Sequence, residues 1–88
     1  MKLKEGFMLK KILYDYIVVP TGNNIVDFAV AVSLNETGAF LWHQLEEEKN
    51  VDELASALAD EYGVSVQEVT PDVAEFIELL RTHNFLSE

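Results

Sequence analysis

Residues 34–45, which read LNETGAFLWHQL, contain the point where a strand pattern changes to a helix pattern. Asn35 can accept hydrogen bonds from the free amides of a first helical turn, so it predicts a helix that begins directly after it. Four residues that follow it in the sequence, at helical spacings of three and four, share one helix face: Gly38, Leu41, Trp42 and Leu45. A glycine inside a helix costs about 1 kcal/mol relative to alanine, so Gly38 indicates that another element packs closely here. The stretch therefore predicts the first core helix.

Three strands are predicted upstream of this helix. Residues 7–13 form a first strand whose lysines suit a sheet edge. Residues 16–19 form a short β-branched second strand, and residues 28–34 alternate bulky with small side chains in a third. Turns are predicted at residues 14–15 and at the TGNN sequence of residues 21–24. Such short connections favour an antiparallel meander.

Two more helices follow the first. The first helix, which begins after Asn35, is predicted to extend to about Glu47, where a run of glutamates is unfavourable at the negative helix end and favours fraying. Asn50 and Glu53 have the spacing of a capping box, which predicts the start of the second helix, and Gly63 is a natural stop for it.

The third helix is predicted from Ser65, a second cap residue, to Asn84, which suits a left-handed cap. Pro71 interrupts the pattern and leaves two alternatives. Either the helix begins at Thr70 with the proline in its first turn, or it begins earlier with a kink. We favour one nearly continuous helix with a loosened first turn.

Together these patterns predict an α+β fold of the order β-β-β-α-α-α, a three-stranded antiparallel sheet followed by three helices. The 88 residues suffice for a single domain over positions 1–88. The chain has no cysteine, which excludes disulfides and thiolate chemistry. It contains no apolar run of membrane-spanning length and no recognisable signal sequence, so we expect a soluble cytoplasmic protein.

The charge is strongly asymmetric. Sixteen acidic residues against six basic ones give a net charge of −10. Residues 1–34 carry four lysines and three acids, or +1, whereas residues 35–88 carry two basic residues and thirteen acids, or −11. An acidic surface repels phosphate, so nucleic acids and anionic membranes are poor partners.

Residues that could carry catalysis or bind a metal are scarce. His43 and His83 are far apart, and neither has a cysteine or a second histidine at metal-ligand spacing. The serines lack a nucleophile context, and no glycine-rich phosphate loop is present. We therefore predict a protein that is not an enzyme and has no metal and no cofactor.

Two motifs resemble a known family. The first is the junction Leu-Asn-x-Thr-Gly-x-x-x-Trp, which begins at Leu34 and ends at Trp42. The second is Asp-Val-x-x-Phe, formed by Asp72, Val73 and Phe76. In both motifs and over nearly its whole length, the chain resembles the PqqD-like proteins, named for a component of pyrroloquinoline quinone biosynthesis. The same fold is the RiPP recognition element, which serves ribosomally made, post-translationally modified peptides.

The resemblance implies a winged-helix-like domain without enzymatic activity. In this family the leader of a precursor peptide adds as a strand beside the third β-strand, in a groove shared with the third helix. The precursor is then presented to a modifying enzyme, often a radical S-adenosylmethionine protein. The implied peptide-binding residues are Ala29, Val30, Ala31, Val32, Ser33, Leu34, Val69, Asp72, Val73, Phe76 and Leu80. The chain departs from its relatives at Asn84, where they often carry glycine, and at Pro71, which can reshape one end of the groove.

The residues support this binding mode independently, because a strand with alternating apolar and small side chains at a sheet edge is a template for an added strand. Val73, Phe76 and Leu80 have an alternative role, which is to fill the core.

Two alternative functions remain. One is a winged-helix DNA-binding protein, although its recognition helix over residues 66–81 would carry four acidic residues and only one arginine. The other is a structural subunit or weak homodimer whose third-strand edges pair with each other, as against a monomeric adaptor.

Overall fold

The computed structural model describes residues 1–21 and 32–87, and the elements within these ranges form two small sheets and three helices. In chain order they are β1 (Lys2–Leu3), β2 (Phe7–Ile12), β3 (Asp15–Pro20), β4 (Val32–Leu34), α1 (Glu36–Gln44), α2 (Val51–Tyr62), α3 (Val66–Thr82) and β5 (Leu86–Ser87).

The predicted three-stranded antiparallel sheet is confirmed. Its order is β2-β3-β4, with Leu9 opposite Val18 in one ladder and Val18 opposite Val32 in the other. The lysines predicted for a sheet edge, Lys10 and Lys11, are exposed on the outer strand β2. Of the predicted third strand, only residues 32–34 fall within the described residues, where they form β4. The sheet therefore has β2 at one edge and, in the described part of the chain, β4 at the other.

The hairpin between β2 and β3 differs from the prediction by one residue. β2 ends at Ile12 rather than Leu13, and β3 begins at Asp15, so Leu13 and Tyr14 form the turn. Leu13 has a φ of 58°, in the left-handed region. Two-residue hairpin turns require such a positive φ and usually place glycine or asparagine there, so leucine gave no turn signal.

The cap signals of α1 and α2 are confirmed. Asn35 Oδ1 accepts a hydrogen bond of 2.8 Å from the Gly38 amide, and Asn50 forms a complete capping box with Glu53. Gly63 ends α2 with a left-handed φ of 65°. The prediction that α1 extends to about Glu47 is wrong, since α1 ends at Gln44. Glutamates are unfavourable at the negative end of a helix, which agrees with this earlier end.

α3 is one continuous helix with Pro71 inside it, as predicted. The proline has no amide hydrogen, so it cannot bond the carbonyl four residues earlier. The Thr70 hydroxyl, on the residue directly before the proline, donates a 2.8 Å hydrogen bond to the Val66 carbonyl and so spans the first turn of the helix. Asn84 has a φ of 60°, which confirms the predicted left-handed cap.

A second sheet was not predicted. β1 pairs antiparallel with β5, with Leu3 opposite Leu86. The Leu3 amide donates to the Leu45 carbonyl at 2.9 Å, and the Lys4 amide donates to the Phe85 carbonyl at 2.7 Å. Strands of two residues are too short to show a periodic pattern, so only the folded chain reveals them.

The core lies between the β2-β3-β4 sheet and the three helices. Its most deeply buried side chains come from β3, the three helices and the residue that caps the end of α1: Val18, Leu41, Trp42, Leu45, Leu54, Leu58, Val73 and Leu80. The predicted α1 face is thereby confirmed, since Gly38 is buried too. Phe85, which precedes β5, packs edge-on against Trp42, with 5.8 Å between ring centroids. Within the described ranges, no helix is both long and apolar enough to cross a membrane.

Candidate functional site

A groove opens between the β4–α1 junction and α3, with a cavity volume of about 290 Å³. β4 and the start of α1 form one wall, and one face of α3 forms the other. The lining residues are Ser33, Leu34, Asn35, Thr37, Gly38, Leu41, Asp72, Glu75, Phe76 and Leu79. The groove thus lies where the two sequence motifs meet in space, the junction motif on one wall and the Asp-Val-x-x-Phe motif on the other.

The floor of the groove depends on Gly38. A Cβ atom at this position would lie 3.3 Å from the Leu34 Cβ and 3.4 Å from the Phe76 ring. It would also lie 3.3 Å from Asn35 Oδ1, the atom that accepts the Gly38 amide. The glycine therefore lets α3 approach the start of α1, and any larger residue would crowd the groove.

The α3 wall combines apolar and acidic side chains. Asp72, Glu75, Phe76 and Leu79 follow helical spacings of three and four, so they share one face. Phe76 is only 7% exposed, and Leu79 is half-buried against the core. Asp72 and Glu75 are exposed at the rim, and neither forms an ion pair with another described residue. The wall therefore has an apolar base beneath a negative rim.

The backbone of β4 is available beside this groove. On one side β4 pairs with β3 over Val32, Ser33 and Leu34. On the other side, within the part of the chain that the structure describes, no strand is paired with it. Val32 and Leu34 point into the core while Ser33 is exposed. An open strand edge presents alternate unpaired N–H and C=O groups, which can pair with an added strand.

Residues of the metal-ligand types do not cluster in the described part of the chain. No group of three or more histidine, cysteine or acidic residues among them could hold a metal ion. His43 is exposed and lies 2.9 Å from Glu46 Oε1, whereas His83 stacks on Phe85 with 5.6 Å between ring centroids. The two histidines thus lie in different surroundings, and neither lines the groove.

The residues predicted for peptide binding divide into three groups. Ser33, Leu34, Asp72 and Phe76 line the groove together. Four others are buried in the core and do not line it: Val32, Val69, Val73 and Leu80. Ala29, Val30 and Ala31 lie outside the described residues. A role in peptide binding stays a prediction for each of them.

Six lining residues were not among the predicted site residues: Asn35, Thr37, Gly38, Leu41, Glu75 and Leu79. The first three belong to the junction motif, so the sequence had singled them out without giving them a place in the site. For Glu75 and Leu79 the available signal was the helix phase, because they lie three and seven residues after Asp72. The strongest apolar stripe of α3 instead faces the core.

Two comparisons with known proteins gave matches. The family model described as coenzyme PQQ synthesis protein D (PqqD) matches residues 21–86. A solved structure described as TbiB1 in complex with the TbiA(beta) leader peptide matches 99% of this chain and 95% of its own, with a TM-score of 0.76 and 23% sequence identity. At that identity the match shows a shared fold. No curated protein sequence matches the chain significantly. Since the family model covers most of its length, including both walls of the groove, the chain belongs to the PqqD family.

Proposed function

We propose that this protein is a non-catalytic adaptor that binds the leader of a ribosomally made precursor peptide. The leader adds as a strand to the open edge of β4, and its side chains enter the groove between β4 and α3. The adaptor then presents the precursor to a modifying enzyme, for which we propose a radical S-adenosylmethionine protein. Ribosomal precursors are made in the cytoplasm, so we place the adaptor there, as a monomer or weak homodimer.

The observation that carries this proposal is the combination, at the same place, of a strand edge with no partner among the described residues and a groove with an apolar base. The edge offers backbone hydrogen bonds that any extended peptide can make, and the groove selects side chains at alternate positions. The PqqD family membership supports it. So does the similarity in fold to TbiB1, whose structure holds a leader peptide.

The size of the site is consistent with useful affinity. A handful of backbone hydrogen bonds contribute about 1 kcal/mol each. One or two buried apolar side chains contribute about 1.5–3 kcal/mol each. The ordering of a flexible peptide opposes these gains. We expect a dissociation constant near the micromolar range, which corresponds to about −8 kcal/mol.

A direct test is titration with synthetic peptides that span the leaders encoded by short reading frames beside the gene. Proline is introduced singly at Val32 and at Ser33, which are consecutive and therefore direct their amides to opposite sides of β4. One of the two variants loses an amide that faces the open edge. We expect that variant to keep its circular dichroism spectrum and to bind at least tenfold more weakly.

Leu79→Ala supplies a second variant, because it shortens an apolar side chain in the groove. Ala74→Ser is its matched control, since Ala74 is exposed on α3 and does not line the groove. If both proline variants remain folded and bind as the parent does, strand addition to β4 is wrong.

A further inference from the structure

Among the described residues, the groove is lined by charge of one sign. Its two titratable lining residues, Asp72 and Glu75, are both acidic, and no lysine, arginine or histidine lines it within the described residues. The apolar surface beneath them comes from Leu34, Leu41 and Phe76 at depth, with Leu79 half-buried beside them. An occupant that fits both parts needs an apolar side chain and a positive charge.

The spacing between the two parts matches an extended peptide. Glu75 and Leu79 are four residues apart on α3, which separates them by about 6 Å along the helix axis. In a strand, residues two positions apart point to the same face and lie about 6.6 Å apart. A peptide strand that lies beside β4 and runs along the axis of α3 can therefore place one side chain near Leu79 and the next same-face side chain near Glu75.

On this basis, and resting on the proposed function, we propose that the groove selects leaders with a lysine or arginine two positions from a large apolar residue. The apolar side chain packs against Leu79 and Phe76, and the basic side chain lies beside Asp72 and Glu75. A second copy of this chain fits the groove less well. Pairing two β4 edges would bring two acidic walls together in a protein whose net charge is already −10.

The expected contribution of the acidic pair is moderate, because both carboxylates are exposed. Ion pairs at exposed sites change an equilibrium constant by about fivefold or less each. Asp72→Asn combined with Glu75→Gln should thus weaken a matched peptide by about three- to twentyfold. High salt should have a similar effect on the parent, since a Debye length of about 3 Å at 1 M salt screens such pairs.

The experiment pans a displayed library of random 14-residue peptides on the folded protein and measures the affinities of the enriched peptides as synthetic probes. The affinity of each peptide is measured for four forms of the protein: the parent, the Asp72→Asn/Glu75→Gln variant, Leu79→Ala, and a control with Asp60→Asn and Glu61→Gln. The control removes the same two charges from the exposed end of α2, outside the groove. It therefore separates local recognition from attraction to the overall negative charge.

The proposal expects enriched peptides with a basic residue two positions from an apolar one. Their affinity should fall three- to twentyfold for the groove variant and less than twofold for the control. Peptides that depend on Leu79 but ignore Asp72 and Glu75 would overturn the charge preference and leave the peptide site standing. Equal losses with both charge variants would overturn it as well, because they would reflect net charge alone. If no enriched peptide depends on Leu79, the proposed function itself fails, and this inference fails with it.

Discussion

Gly38 is a residue at which the stability of the fold and the shape of the groove depend on the same close contact. Replacing it tests the close contact between the start of α1 and α3. An added Cβ would lie 3.3–3.4 Å from atoms of Leu34, Asn35 and Phe76. Leu34 and Phe76 are both buried, and the Asn35 side chain is held by its 2.8 Å bond to the Gly38 amide. These neighbours have little freedom to move away.

Two substitutions give different expected magnitudes. Gly38→Ala gains about 1 kcal/mol of helix propensity, which the tight contacts oppose, so the free energy of unfolding should change by less than about 1 kcal/mol. Gly38→Leu adds a branched side chain that can extend only into the groove. Overpacking of this kind costs about 1–3 kcal/mol. In a domain of this size each kcal/mol shifts Tm by about 4–8 °C.

The assay is urea unfolding followed by fluorescence, for which the single tryptophan, Trp42, is a suitable probe because it is buried in the core. Ala74→Leu serves as the control, since it adds the same side chain at an exposed site on α3. Peptide titration of each variant then reports on the groove, and we expect Gly38→Leu to abolish binding. An unchanged unfolding midpoint for Gly38→Leu would refute the close contact and the assignment of Gly38 to the groove floor.

Three further predictions concern the hairpin, α3 and the alternative function. Leu13→Gly should stabilise the protein by about 1 kcal/mol, because it relieves the left-handed backbone of a leucine that is 83% exposed. Thermal unfolding measures this gain. The control Tyr14→Gly, at a residue without positive φ, should give no such gain. Pro71→Ala should raise the free energy of urea unfolding by about 1–3 kcal/mol, because an interior helix proline costs about 3 kcal/mol; a loss of stability would contradict this reasoning. Random duplex DNA should give no gel shift at about 150 mM salt, because phosphate contacts need basic residues; a micromolar shift would revive the DNA-binding alternative.

Much of the fold was predictable because its signals are local. Asn35, Asn50 and Ser65 cap the helices that they were predicted to start, and Gly63 and Asn84 adopt the left-handed backbone expected of them. Each of these effects depends on a residue and its neighbours within one turn. The alternation of burial across Val32, Ser33 and Leu34 was predictable for the same reason.

The errors arose where local signals were weak or conflicting. The turn at Leu13 uses a residue type that rarely adopts positive φ, so the sequence offered no warning. β1 and β5 are two residues each, and their pairing joins the two ends of the described chain. Contacts between residues so distant in sequence leave no periodic pattern in either segment.

The candidate site shows the same division. The sequence indicated which segments meet there through its family resemblance, and the two motifs that carry that resemblance supply both walls. Only the tertiary structure decided which face of α3 lines the groove and which fills the core. Val69, Val73 and Leu80 are apolar enough for either role, and the packing of α3 against the other helices buries them. Glu75 and Leu79 line the groove instead, because the rotation of a helix about its axis is fixed by all of its neighbours together.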